Sequence, residues 1–173
     1  MAERVIGKVG DPVLRKKCKP VTEITPNILQ LLDDMADTLA AASNGAALAA
    51  PQVGILRRMV VIDSGEGFIE LINPEIIEKS KEQIGPEGCL SLPGIWGRVK
   101  RAKYVKVKAV NRDGEEFIIE GRGFMARCLQ HEIDHLDGTL FIDYVAPGQL
   151  FQEHTDEPVD VYRLLKASRE NQD

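Results

Sequence analysis

The sequence predicts a mixed domain of the α+β class, and three observations carry that expectation. Ile28, Leu31, Leu32, Met35, Leu39 and Ala42 recur at helical spacing behind a Thr25-Pro26 start. Strand-like runs then crowd residues 58–120. Beyond them Phe124, Cys128, His131 and His135 share one stripe at spacings of three and four, the period of a second helix. With 173 residues, 43% hydrophobic and 28% charged, the chain is long enough for one domain with a sizeable core.

In chain order, residues 4–20 are short and punctuated by Gly, Asp and Pro, which reads as a surface arm. Its cluster Arg15-Lys16-Lys17 reads as a solvated turn. Thr25 caps the first helix, over residues 26–42, and Ser43-Asn44-Gly45 ends it. The small-residue stretch Gly45 to Gly54 allows close approach of another backbone or a ligand. Strands are expected at 58–63, 67–73 and about 75–81. Tyr104 to Val110, the turn Asn111-Arg112-Asp113-Gly114 and Phe117 to Glu120 read as a β-hairpin. Gly121 and Gly123 precede the second helix, and Gly138 is placed to end it as a left-handed cap.

After Pro147 the character changes. Six acids (Glu153, Asp156, Glu157, Asp160, Glu170, Asp173) face three bases in residues 151–173, with a short helix expected at about 159–168. His154 reads as exposed. The expected organisation is a catalytic domain over residues 1–147 and a variable acidic tail over 148–173.

The second helix holds the chemistry. His131-Glu132-Ile133-Asp134-His135 is an H-E-x-x-H pattern. Residues four apart lie one above the other on a helix, so His131 and His135 can offer two imidazole nitrogens to one ion. Glu132 points beside that pair, close enough to handle a water without being a ligand. The competing reading is two core histidines satisfied by hydrogen bonds. A catalytic site needs a third protein ligand. Cys89, in Glu87-Gly88-Cys89-Leu90-Ser91, is the best candidate, because a thiolate is a strong ligand and Gly88 permits tight approach. Cys128 is the rival, three residues before His131, and reads instead as a small apolar wall of the site. Cys18 reads as structural. Glu87 and Gln130 flank the ligands and are placed to orient them.

Other classes are disfavoured. A net charge of −5, with a pI near 5.3, gives no electrostatic case for specific nucleic-acid binding. No window approaches a membrane span, and the N-terminus lacks the apolar core of a signal peptide. Three scattered cysteines fit a reducing cytoplasm of bacterial type; an organellar location after loss of a transit peptide stays open. A metallopeptidase of H-E-x-x-H type places its third ligand downstream, where Glu153 and Glu157 lie in the acidic tail. Cys89 upstream argues against it.

Gly45-Ala46-Ala47-Leu48-Ala49-Ala50-Pro51-Gln52, Glu87-Gly88-Cys89-Leu90-Ser91 and Gln130-His131-Glu132-Ile133-Asp134-His135-Leu136-Asp137-Gly138 follow in this order. They closely resemble the three signature motifs of the peptide deformylases, over about residues 3–147. The resemblance implies antiparallel sheets wrapped around the central H-E-x-x-H helix. It also implies hydrolysis of the formyl group from the N-terminal formyl-methionine of nascent polypeptides, with the ribosome as a transient contact. It makes Cys89, His131 and His135 the metal ligands, Glu132 the general base and acid, and Gln52 with the Leu90 backbone N–H the oxyanion donors. Metal-bound hydroxide attacks the formyl carbon in this reading. Fe²⁺ is the implied ion in the cell, with Zn²⁺, Ni²⁺ or Co²⁺ able to replace it. Gly45, Ala46, Ala47, Gly88, Phe124, Arg127 and Cys128 fall at substrate-binding positions, and the peptide lies extended beside a strand.

The first motif of that family usually reads G-[IV]-G-[LI]-A-A. Here the branched residue is Ala46 and the second glycine is Ala47. If a positive φ is required, Ala47 is strained by on the order of 1 kcal/mol; if only close approach, its methyl narrows the cleft. Ala46 should widen the methionine pocket. Arg127 stands where an apolar wall is sometimes found, with its stem packed and its charge expected outside.

Overall fold

The computed structural model describes residues 3–42, 45–65 and 67–169. The first helix, α1, spans Pro26–Ala41. The Thr25 hydroxyl accepts the Ile28 N–H at 3.2 Å and Pro26 opens the first turn. Ser43 and Asn44, read as part of its stop, lie outside the described residues.

Six strands follow: β1 (Ala47–Ala49), β2 (Met59–Asp63), β3 (Phe68–Cys89), β4 (Leu92–Val110), β5 (Glu116–Arg122) and β6 (Leu150–Gln152). They form one antiparallel sheet in the order β1-β2-β3-β4-β5, with β6 on β4. The helix α2 (Phe124–Leu136) follows β5, and α3 (Val161–Ala167) closes the tail. No helix among the described residues is long and apolar enough to cross a membrane.

The sheet is sandwiched where β2 runs. Val60 and Ile62 face Ala126, Leu129, Ile133 and Leu136 of α2, while Met59 and Val61 face Leu32, Met35 and Leu39 of α1. Burial on both faces explains why β2 reads as an unbroken apolar run rather than an alternating one. Each of the larger side chains here, Ala126 apart, is worth about 1.5–3 kcal/mol of transfer free energy, so α2 is held by packing more than by its own propensity. A third cluster joins Leu14, Leu92, Phe141 and Ile142 to Leu150 and Val161 of the tail.

Two expectations need correcting. The segments read as separate strands at 67–73 and 75–81 are one strand, and residues 92–103, read as no element, belong to its partner. β3 continues through Asn73 at φ 51° and Lys81 at φ 61°, with register shifts between Ile72/Glu75 and Ile76/Glu78. Bulges of this kind let a strand bend without ending. The Asn73 amide also pairs with both backbone groups of Val21 at 2.8 Å, which holds the bend in place.

Arg15 is no solvated turn. Its side chain is 4% exposed, and it donates to both carboxylate oxygens of Asp143 at 2.7 and 2.9 Å, to Gly138 O at 3.1 Å and to Ser168 Oγ at 2.7 Å. The N-terminal arm, the end of α2 and the tail are tied at this one guanidinium. Elsewhere the local signals match the fold. Asn111 Oδ1 accepts the N–H groups of Asp113 and Glu115 in the β4–β5 turn, and Gly138 ends α2 at φ 74°.

Candidate metal centre

α2 and the end of β3 meet at the site. Cys89 is the last residue of β3, displaced by a register shift after Gly88 and followed by the turn Leu90–Ser91 into β4. This bulged hairpin end delivers a thiol to the face of α2 that carries His131 and His135. The Cys89 Sγ and one nitrogen of each histidine lie within 4.8 Å of one another. Sγ is 3.3 Å from His135 Nε2, and the two imidazole rings stand edge to face at 5.0 Å.

Around them runs a buried ionic network. Glu87 accepts His131 Nδ1 at 2.6 Å, Arg101 at 2.5 and 3.0 Å, and Arg127 at 2.8 Å. Arg101 also reaches Asp134 at 2.6 Å. Burial pushes the Glu87 carboxyl up, but hydrogen bonds from His131 and Arg101 overcome it and bring the pKa to about 2. Glu87 is therefore a fixed anion. It holds His131 by Nδ1, which leaves Nε2 to face the cysteine side. Burial pushes Glu132 up to about 7, against the pull of the neighbouring His131. His135 is held well below its usual range by burial and then by His131, so it is a neutral imidazole.

These residues fit a borderline transition-metal ion. Glu132 Oε2 is buried without a hydrogen-bond partner, and one thiol and two imidazoles converge, with His135 turning Nε2 toward the thiol. Three protein donors leave a position open, the layout of a catalytic rather than a structural centre.

A cavity of about 300 Å³ opens onto this group. Gly45, Ala46 and Ala47 line one side; Phe124, Arg127 and Cys128 from α2 line another, with Glu132 and His131 between them. Gly88, Cys89 and Leu90 border it as well. Gln52 lies buried in the 3₁₀ turn Ala50–Val53, beside the thiol. Its Oε1 accepts Ala49 N–H at 2.9 Å, which fixes the amide so that Nε2 donates to Ser91 Oγ at 3.1 Å and lies 3.5 Å from Cys89 Sγ.

Three details differ from the sequence reading. Ala47 sits in β1 paired with Ile62 and has no positive φ, so the methyl carries no backbone strain. The Gln130 side chain makes no hydrogen bond to Cys89, His131 or His135. It binds Ala102 N–H and C=O at 3.0 and 2.9 Å, bracing α2 on β4. The Arg127 charge points inward, onto Glu87 and Val99 O, because that carboxylate is there to meet it. Two further residues, Arg101 in the ionic network and Glu153 on the cavity border, have no signal in the sequence. Nothing local distinguishes them from solvated charges.

The chain has clear relatives. The polypeptide deformylase family model matches residues 4–150. A peptide deformylase from Caldanaerobacter subterraneus subsp. tengcongensis is 60% identical over 145 residues, covering 84% of this chain and 91% of the relative. One from Desulfitobacterium hafniense is 62% identical over 143 residues, covering 83% and 95%. The crystal structure of peptide deformylase from Thermotoga maritima superposes with a TM-score of 0.82 at 44% identity, covering 85% of this chain and all of that one. The enzyme from Legionella pneumophila gives 0.81 at 44% identity, over 84% and 88%.

Proposed function

The chain belongs to the polypeptide deformylase family, enzymes that remove the formyl group from the N-terminal methionine of formylated chains, and from that premise we propose how its own residues do so. Cys89, His131 and His135 hold one divalent ion. Fe²⁺ is the ion in the cell, with Zn²⁺, Ni²⁺ or Co²⁺ taking the same thiolate and imidazole donors in purified protein. A bound ion supplies Lewis acidity, lowering the pKa of water and polarising a carbonyl oxygen.

The remaining work falls to the polypeptide. Glu132, a buried carboxyl with one oxygen unsatisfied, takes a proton from the attacking water. It returns that proton to the amine nitrogen as the bond between it and the formyl carbon breaks, releasing formate and a free methionyl terminus. Negative charge growing on the formyl oxygen meets the Gln52 side-chain amide and the Leu90 N–H. Phe124, Arg127, Cys128 and Ala46 wall the methionine pocket, and Gly45 to Ala47, with Gly88, border the peptide backbone.

The observation that carries this reading is the convergence of one thiol and two imidazoles within 4.8 Å, with Glu132 lining the same cavity. Formate release from formyl-Met-Ala-Ser, with metal measured on the same anaerobically purified sample, tests it. Release should scale with bound metal, and full metal occupancy without release would refute it. The substrates in the cell are nascent chains in the cytoplasm, met during transient contact with the ribosome. Residues 1–147 form the catalytic part and 148–173 a variable tail.

A further inference from the structure

The tail brings one charge to the cavity that the deformylation chemistry does not use. β6 pairs with β4 through Ile95↔Gln152, Trp96↔Phe151 and Gly97↔Leu150, and the Trp96 and Phe151 rings meet at 4.8 Å. The pairing continues one step further, where Glu153 N–H donates to Gly94 O at 2.8 Å. Glu153 is thereby fixed on the cavity wall opened by Pro93, Gly94 and Ile95, with its side chain in solvent.

The other charges lining the cavity are committed. Glu87 is bound by two arginines and a histidine, Arg127 is turned onto Glu87, and Glu132 is buried. No ion pair to Glu153 is present among the described residues. A formylated peptide has no charged amino terminus, so a peptide cation that meets this exposed carboxylate comes from a side chain further along the chain. Side chains of an extended peptide alternate in direction, which lets one of the residues after methionine face the wall.

We propose that Glu153 is a specificity-determining residue that favours formylated peptides with Lys or Arg at the second or third position. The proposal rests on the deformylase reading above. An ion pair at this exposed rim is worth a few-fold in affinity and is screened by salt.

The test uses the full-length, metal-loaded protein and a peptide set: formyl-Met-Ala-Ser, and versions with Lys or Glu at position two or three. At low ionic strength the Lys peptide at the responsive position should exceed its Glu counterpart in kcat/KM by about three- to ten-fold, chiefly through KM. In Glu153→Gln that ratio should fall toward one, and in Glu153→Lys it should invert. Roughly 0.5 M salt should erase it in the parent protein. A structural role for Glu153 would lower all rates together without inverting the ratio. Turnover with equal ratios in the parent and both variants overturns the proposal and leaves the deformylase reading intact. Failure to release formate from any peptide overturns that reading, and this proposal with it.

Discussion

Glu87 and His131 are joined by a 2.6 Å hydrogen bond at Nδ1, and the same carboxylate neutralises Arg101 and Arg127. One buried anion therefore sets the orientation of a proposed metal ligand and the charge balance beside the cavity. Replacing it by alanine leaves the buried Arg127 guanidinium without a carboxylate and Arg101 with Asp134 alone. The expected loss in Glu87→Ala is about 3–5 kcal/mol of stability. A weakening of metal binding by about 10- to 100-fold should accompany it, through loss of imidazole orientation. Denaturant melts and chelator competition on the same variant measure the two; unchanged metal affinity would mean that Glu87 serves only the arginines.

Glu132 should separate from that network cleanly. Its Oε2 has no hydrogen-bond partner, and it lies beside the Cys89, His131 and His135 group rather than in it. Glu132→Ala should retain its metal and lose about 10²- to 10⁴-fold in kcat, the usual contribution of a positioned proton carrier. Metal analysis and formate release decide it, and near-parental turnover would remove Glu132 from the chemistry.

The three thiols should report on the centre by their reactivity. Burial pushes Cys18 up to about 11, and burial with Glu132 pushes Cys128 up to about 12, so neither supplies thiolate near neutral pH. Cys89 is partly exposed on the cavity. Iodoacetamide added to chelator-stripped protein should alkylate Cys89 ahead of the other two, and reloading with Ni²⁺ should protect it. Mass mapping of the labelled peptides reads both outcomes. Equal Cys89 labelling with and without metal would mean that the thiol is not a ligand.

Much of this architecture is legible in the order of residues alone. The α1 and α2 patterns, the Asn111 turn and the Gly138 stop are local, and each is written in consecutive residues. Cys89, His131 and His135, which the fold brings together, are legible because each stands in a contiguous motif. The long strands β3 and β4 are not. Their continuity depends on a bend at Asn73 that is held by Val21, a partner 52 residues away. The buried arginines are hidden for the same reason. Arg15, Arg101 and Arg127 look like surface bases until Asp143 and Glu87 are brought to them by the fold.

Ala47 offers a test of the altered first motif. In β1 it is extended, so any effect of its methyl comes from the cavity wall. Ala47→Gly should raise kcat/KM for formylated peptides by a few-fold, the scale of one methyl in a pocket. It should also cost about 0.5–1 kcal/mol of stability as a glycine in a strand. Steady-state rates with a thermal melt check both, and an unchanged kcat/KM would show the methyl to be neutral.

The last prediction concerns the junction that ends α2, three residues past His135. Gly138 has φ 74°, and a Cβ there would lie 2.5 Å from the Arg15 carbonyl oxygen, a backbone atom that cannot swing aside. Gly114, in the β4–β5 turn, has φ 82°, and its nearest neighbour would be Ile24 Cδ1 at 3.9 Å. Both alanine variants incur the left-handed conformational cost of about 1 kcal/mol. Only Gly138→Ala must also push the N-terminal arm from the helix end, breaking the Arg15 contacts to Asp143 and Ser168. Its loss should exceed that of Gly114→Ala by more than about 2 kcal/mol in denaturant melts. Metal affinity should fall in Gly138→Ala alone, because the displaced helix end carries His135. Equal losses in the two variants would mean that the arm yields freely, and that close approach at Gly138 does nothing to hold the metal-binding helix.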